Sequence, residues 1–306
     1  MKIVLFGRGG QVGRELEQVL PSLGQLAAFG RDHADLERPD AIQALLRRES
    51  PDMVVNAAAY TAVDKAESEP ERARQINADS VGVIATETAR LGGWLVHYST
   101  DYVFDGAKSD SYVETDPTGP LGVYGATKLA GEQLVAASGC RHLVFRTSWV
   151  YAAHGSNFVR TILRLGQERE ELSIVDDQIG APTSAARIAA VTVAAIRRLA
   201  GGEGELPASG IYHLAAAGTT SWHGLAKLSV AAAHAGGLPL RVDPDRIRPI
   251  PSSAWPQVAR RPANSRLDTA KLQRTFDVIL PPWQDDVREV VATLIHRATP
   301  HRATHA

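Results

Sequence analysis

A short apolar run, Lys2-Ile3-Val4-Leu5-Phe6, ends on Gly7-Arg8-Gly9-Gly10-Gln11-Val12-Gly13 and passes directly into a segment with helical spacing of apolar residues. A strand, a tight turn and a helix packed this closely leave room only for glycine at the points of contact. The Gly-x-x-Gly-x-x-Gly spacing therefore predicts the first βα unit of a doubly wound sheet. The free N–H groups at the start of such a helix suit an anion, so Gly7, Gly10 and Gly13 are candidate contacts for the pyrophosphate of a dinucleotide.

The rest of the first half repeats the alternation of short apolar runs with longer helical patterns, the mark of a parallel sheet covered on both faces. Strands are expected near residues 2–6, 25–29, 53–56, 94–99 and 143–147. Helices are expected over 11–20, 39–48, 70–91 and 122–138, with Pro39 and Pro70 near first-turn positions and Gly92 at a C-terminus. This reads as an α/β fold, a Rossmann-type doubly wound parallel sheet at residues 1–150, followed by a smaller C-terminal region at 151–298. In that region helices are expected near 156–170 and 183–199, with an extended segment at 172–175 and a strand near 211–215. Some elements of about 172–218 are expected to return to the sheet. The end of the chain from His296 repeats His-Arg-Ala-Thr, and residues 299–306 read as a frayed tail.

With 306 residues, 44% hydrophobic and 22% charged, the chain can bury a sizeable core. A net charge of −1 with no Lys/Arg-rich run argues against nucleic acid or a membrane surface as partner. The single cysteine, Cys140, excludes an internal disulfide, and the first apolar run is too short for a signal peptide. A cytoplasmic location is the expectation.

The chemistry is concentrated in two segments, Ser99-Thr100-Asp101-Tyr102-Val103-Phe104 and Val123-Tyr124-Gly125-Ala126-Thr127-Lys128. A ketone that accepts hydride becomes an alkoxide unless a proton arrives with it. Tyr124 can supply that proton, Lys128 lies on the same helical face, and Thr100 can hydrogen-bond the carbonyl oxygen. The positive charges of Lys128 and of the oxidised nicotinamide ring are expected to depress the Tyr124 pKa toward working pH. At the end of the second strand an acidic residue would favour NAD, but this chain has Phe29-Gly30-Arg31. Arg31 can pair with the extra phosphate of NADP, so NADPH is the expected cofactor and NADH the alternative. Asp35 and Leu36 lie where a loop can reach an adenine. The small residues of Asn56-Ala57-Ala58-Ala59-Tyr60-Thr61 leave room for a cofactor to cross the sheet edge.

Six separated blocks then carry a resemblance over almost the whole length. They are Gly7 to Gly13; Asn56 to Thr61 with Val63-Asp64-Lys65-Ala66-Glu67; His97 to Phe104; Tyr124 to Glu132; Phe145 to Tyr151; and Gly180-Ala181-Pro182-Thr183. Together they resemble the dTDP-4-dehydrorhamnose reductase family of extended short-chain dehydrogenase/reductases. The resemblance implies reduction of the 4-keto group of a nucleotide sugar with NAD(P)H, as the last step of dTDP-L-rhamnose synthesis for surface polysaccharide. It implies cofactor contacts at Gly10, Gln11, Val12, Asp35, Leu36, Ala59, Tyr60, Thr61, Tyr98, Tyr124 and Lys128. It implies sugar-nucleotide contacts at Thr100, Asp101 and Trp149. A cation of Arg261-Pro262-Ala263-Asn264-Ser265-Arg266-Leu267, assigned to Arg266, would meet the diphosphate.

Some members of the family hold magnesium through glutamates at a dimer contact. Here Glu15 is present, but Ala186 and Gln284 stand where the other ligands align, which puts magnesium and a dimer built on it in doubt. No metal ligand is therefore assigned, and a homodimer stays open. Dehydratases of the same fold need a second carboxylate after Asp101, and this chain has Tyr102. A nucleotide-sugar 4-epimerase, which shares Thr, Tyr and Lys, stays open, as does a non-catalytic NADP-binding regulatory subunit.

Overall fold

The computed structural model describes residues 1–201 and 209–298. Strands β1 (Lys2–Phe6), β2 (Gln25–Phe29), β3 (Met53–Asn56), β4 (Trp94–Thr100) and β5 (Arg141–Thr147) form one sheet with a sixth strand, Gly210–His213. Across the sheet the order is β2-β1-β3-β4-β5 and then the sixth strand, with every pairing parallel. The chain reverses direction of travel between β1 and β3, and a crevice opens at their carboxyl ends.

The helices are α1 (Gln11–Val19), α2 (Pro39–Glu49), α3 (Val63–Ala66), α4 (Pro70–Arg74), α5 (Ser80–Arg90), α6 (Val123–Ala137), α7 (Phe158–Glu168), α8 (Ala185–Ala200), α9 (Trp222–Ala235), α10 (Ala270–Phe276) and α11 (Trp283–Ala298). Alternate residues of each strand serve opposite layers, which is why the strands read as unbroken apolar runs. Leu5, Val55, Val96 and Phe145 pack with Leu16 of α1, Ile188 of α8 and Phe276 of α10. Val4, Val54, Leu95 and Val144 pack with Ile42 and Leu46 of α2, Ile84 of α5 and Val135 of α6. Each such side chain contributes roughly 1.5–3 kcal/mol on burial, so the two layers hold the sheet.

Three differences from the sequence reading bear on the site. The segment expected as one helix over 70–91 is broken by a π-helical turn, Gln75–Asp79. The wider turn seats a fully buried Asn77, whose amide accepts from the Tyr60 N–H at 2.8 Å and donates to the Tyr60 carbonyl and to Thr127 Oγ1. Leu172–Val175 pairs with Ile247–Ile250 in a small separate sheet, whereas α8 and the sixth strand join the main one. Beyond residue 215, where the sequence reading assigns no element, α9 and α11 pack with α7 around a second core containing Tyr151, Leu225, Trp283 and Val287. His296 and Arg297 belong to the last turn of α11 and not to a frayed end. The expected tail, 299–306, lies outside the described residues.

Among the described residues no helix is long and apolar enough to cross a membrane.

Candidate active site

The glycine turn is built as a cradle. Gly7 has φ +86°, and a Cβ there would stand 2.6 Å from the Ala58 nitrogen; a Cβ on Gly13 would stand 1.9 Å from the Gly7 carbonyl oxygen. Helix α1, the turn and the Ala57–Ala58 backbone are thus in direct contact at the β1/β3 crevice. Gly10 precedes α1 and gives it no side-chain cap, so first-turn N–H groups are left for a ligand. This arrangement fits the pyrophosphate of a dinucleotide. Val12 packs against the core, and the Gln11 side chain accepts from Asn157 Nδ2 at 2.8 Å, tying the turn to the segment before α7.

The edge of the cradle differs from expectation in detail. Arg31 is exposed at the end of β2, where its guanidinium pairs with Asp35 and Glu37. Asp35 also accepts from the Glu37 N–H at 3.0 Å. Leu36 is buried in the α2 core and does not lie open to an adenine. Tyr60 donates its hydroxyl to Glu69 at 2.9 Å while Asn77 pins its backbone; Ala59 is half-buried and Thr61 exposed beside it.

At the other side of the crevice, Thr100 closes β4. Its hydroxyl donates to Asp101 Oδ1 at 3.0 Å and accepts from the Tyr102 N–H at 3.2 Å, capping the turn Asp101–Val103. Helix α6 rests on that turn without a gap, since a Cβ on Gly125 would stand 2.1 Å from the Tyr102 carbonyl oxygen. The close approach sets the Tyr124 phenol near the Thr100 hydroxyl. One turn on, Lys128 is 2% exposed and donates to the Tyr98 carbonyl at 2.7 Å. A further turn on, Glu132 forms a buried ion pair with Arg146 of β5, with contacts of 2.6 and 3.0 Å. Residues at i, i+4 and i+8 of α6 therefore line one face toward the sheet.

Electrostatically the site runs against the sequence reading at one point. Tyr124 is not depressed: burial, and then the Asp101 carboxylate, push it up to about 12, outweighing the Thr100 hydroxyl. Burial brings Lys128 down to about 8. Asp101, also buried, is raised to about 6, against hydrogen bonds from Ser265 and Thr100.

An acid whose pKa is raised on folding destabilises the fold wherever it is ionised. For Asp101 the penalty is absent below the ordinary value of 3.8, grows as pH rises toward about 6, and is complete above that. Asp101→Asn is accordingly expected to raise the melting temperature at about pH 8 and to leave it almost unchanged at about pH 3.5. Equal shifts at both pH values would contradict a buried charge as the cause.

Three expected contacts are differently placed. Tyr98 alternates with His97 along β4, so its ring lies on the α8 face of the sheet, opposite Lys128, and its hydroxyl bonds Thr192 Oγ1 at 2.7 Å. Arg266 turns its guanidinium to Asn264 Oδ1 and to the Ser109 carbonyl. The cation of that segment nearest the chemistry is Arg261, which grips Asp64 at 2.9 and 3.0 Å and contacts Tyr102. Both arginines sit in one short segment, and linear position cannot tell which turns inward. Trp149, at φ +49°, stacks on Trp222 with ring centroids 3.7 Å apart. Trp222 goes unnoticed in the sequence; its only signal is an aromatic residue just after the Ser221 helix cap. Glu15 faces His154 Nδ1 at 3.4 Å. Among the described residues no three His, Cys, Asp or Glu side chains are grouped to hold a metal ion.

An oxidoreductase of the extended short-chain dehydrogenase/reductase class is what this sheet, cradle and Thr-Tyr-Lys cluster define. A family model described as the RmlD substrate binding domain matches residues 1–296. The dTDP-4-dehydrorhamnose reductase of Burkholderia thailandensis is 52% identical over 302 residues, spanning 96% of this chain and 99% of that protein. That of Escherichia coli strain K12 is 48% identical over 298 residues, spanning 96% and 98%. A crystal structure of dTDP-4-dehydrorhamnose reductase from Bacillus anthracis in complex with NADP superposes with a TM-score of 0.85 at 32% identity, covering 94% of this chain and 98% of that one. The chain belongs to the dTDP-4-dehydrorhamnose reductase family.

Proposed function

We propose that this chain reduces dTDP-4-dehydro-L-rhamnose at C4 to give dTDP-L-rhamnose, with NADPH as reductant. The observation that carries this reading is the Thr100, Tyr124 and Lys128 cluster beside the glycine cradle, in a chain of this family. A relative crystallised with NADP supports the choice of cofactor. The product would feed surface polysaccharide, and the buried free thiol of Cys140 suits a reducing, cytoplasmic setting.

When bound, NADPH supplies the hydride. Gly7, Gly10, Gly13 and the start of α1 hold its pyrophosphate, and Arg31 takes the extra phosphate by leaving Asp35 and Glu37. Thr100, by turning its hydroxyl away from Asp101, hydrogen-bonds O4 of the sugar and stabilises the charge that develops there. Tyr124 keeps its proton up to about pH 12 and gives it to the alkoxide, a far stronger base than a phenolate, so the transfer runs downhill. Lys128 orients the reductant. Trp149 and Trp222 form a wall for the sugar, and Arg261 faces the diphosphate.

The test is turnover of dTDP-4-dehydro-L-rhamnose followed by loss of reduced-nicotinamide absorbance, with NADPH and NADH in parallel. Stoichiometric consumption of reductant is expected; conversion of the sugar without net consumption would favour an epimerase. In the same assay Arg31→Asp should lower the NADPH/NADH preference by about tenfold or more, the loss of a charge-assisted contact of roughly 1.5–3 kcal/mol. An unchanged preference would remove Arg31 from the phosphate site.

A further inference from the structure

Beneath Tyr124 a buried polar chain runs from the cofactor crevice to Lys128 through two residues, Asn56 and His97, that the reduction as described does not use. The Ala58 N–H donates to Asn56 Oδ1 at 3.1 Å, which fixes the orientation of the Asn56 amide and leaves its NH2 group facing His97 Nδ1 at 3.2 Å. His97 Nε2 faces Lys128 Nζ at 3.3 Å. Asn56, His97 and Lys128 are each no more than 2% exposed, so no solvent relieves a mismatch.

Donor and acceptor counting along this chain has one consistent solution. The Asn56 NH2 can only donate, so His97 Nδ1 must accept with its lone pair. Burial, and next the neighbouring Lys128, hold the imidazole pKa well below its ordinary value, so the ring is neutral. A neutral ring with a lone pair on Nδ1 carries its proton on Nε2. That N–H points at Nζ, which can accept it only as a neutral amine; an ammonium there would oppose donor to donor. The amine keeps its own donation to the Tyr98 carbonyl.

We propose that His97, with its tautomer set by Asn56, is a positioning residue that lowers the proton affinity of Lys128 in the ligand-free protein. The inference rests on the reductase reading only for its use, since the bonding pattern stands without turnover. It couples the Ala57–Ala58 backbone of the cofactor crevice to the charge of the lysine: a shift of the Ala58 N–H frees the Asn56 amide to turn, the imidazole to change tautomer, and Nε2 to accept from an ammonium.

Other charges around the lysine do not supply this effect. Glu132, on the same helix, raises the affinity of Lys128 and is neutralised by Arg146 of β5. Asp101, after β4, acts on Tyr124 and Tyr102. Tyr124 is uncharged below about 12. Burial by itself brings the lysine down to about 8 from its ordinary 10.5, and the contact with His97 acts in addition to it.

The test is a pH titration of ε-¹³C-lysine-labelled, ligand-free protein by NMR, with the Lys128 resonance identified by its loss in Lys128→Met. In His97→Gln the side-chain amide can present its oxygen to Nζ, and the midpoint should rise by about one pH unit or more, a tenfold change. Asn56→Ala, which removes the partner of His97 Nδ1 and of the Ala58 N–H and makes no hydrogen bond to Lys128, should move it in the same direction. Unchanged midpoints in folded variants would overturn the proposal; a rise in His97→Gln with none in Asn56→Ala would overturn the role of the tautomer. Neither readout depends on turnover, so failure here is distinguishable from failure of the reductase reading.

Discussion

Replacing Tyr124 with Phe is expected to lower kcat about 10³-fold, the scale of a lost general acid, while NADPH binding stays close to that of the parent. The substitution is conservative in every other respect. The ring packs edge-on against Tyr102, with centroids 5.7 Å apart, and a phenylalanine keeps that contact. Only the hydroxyl facing Thr100 is lost. Single-turnover oxidation of bound NADPH would measure the chemical step, and fluorescence titration the affinity. If kcat falls by less than about tenfold, the proton comes from elsewhere. A parallel collapse of affinity would instead mean that the hydroxyl holds the cofactor.

The second large effect concerns stability. Glu132→Leu should destabilise the fold by about 3–5 kcal/mol in denaturant unfolding, because it leaves the Arg146 guanidinium charged and unpaired in the interior. Both partners are nearly inaccessible, with side chains 3% and 2% exposed. Over the ring of Phe104, 5.0 Å away, the cation gains too little to compensate. Adding Arg146→Met to Glu132→Leu should recover most of the loss, since removing both charges also removes the desolvation penalty. A single variant within about 1 kcal/mol of the parent would mean that water reaches the pair.

The first half of the fold was legible because its strands are buried on both sides and its glycines mark contacts that no other residue allows. Gly7 and Gly13 announce the crevice, and the four-residue spacing of Tyr124 and Lys128 survives unchanged from sequence to structure. What stayed hidden depends on contacts distant in the chain. The π-turn at Gln75–Asp79 costs nothing visible in a helical pattern, although the polar Gln75 and Asn77 on either side of Ile76 are its faint trace. Helix α9 is alanine-rich and apolar around most of its circumference, so no polar stripe marks its period. Tyr98 could be separated from Lys128 only by the alternation of a strand whose register was not yet known. Arg261 and Arg266 differ in direction alone. Without cofactor, Tyr124 is raised and not depressed because burial acts on it, and spacing carries no measure of depth.

The return of α8 and of Gly210–His213 to the sheet has a consequence for how this chain is made. As the polypeptide leaves the ribosome, β1 to β5 are all available by residue 147, yet the layer that Ile188 and Val191 supply does not exist, and the outer edge of β5 has no neighbour. An early fragment would carry an apolar sheet face and an open edge into a crowded cell. The sheet begun by the first 147 residues is therefore completed only when Gly210–His213 has been made, more than two hundred residues into synthesis.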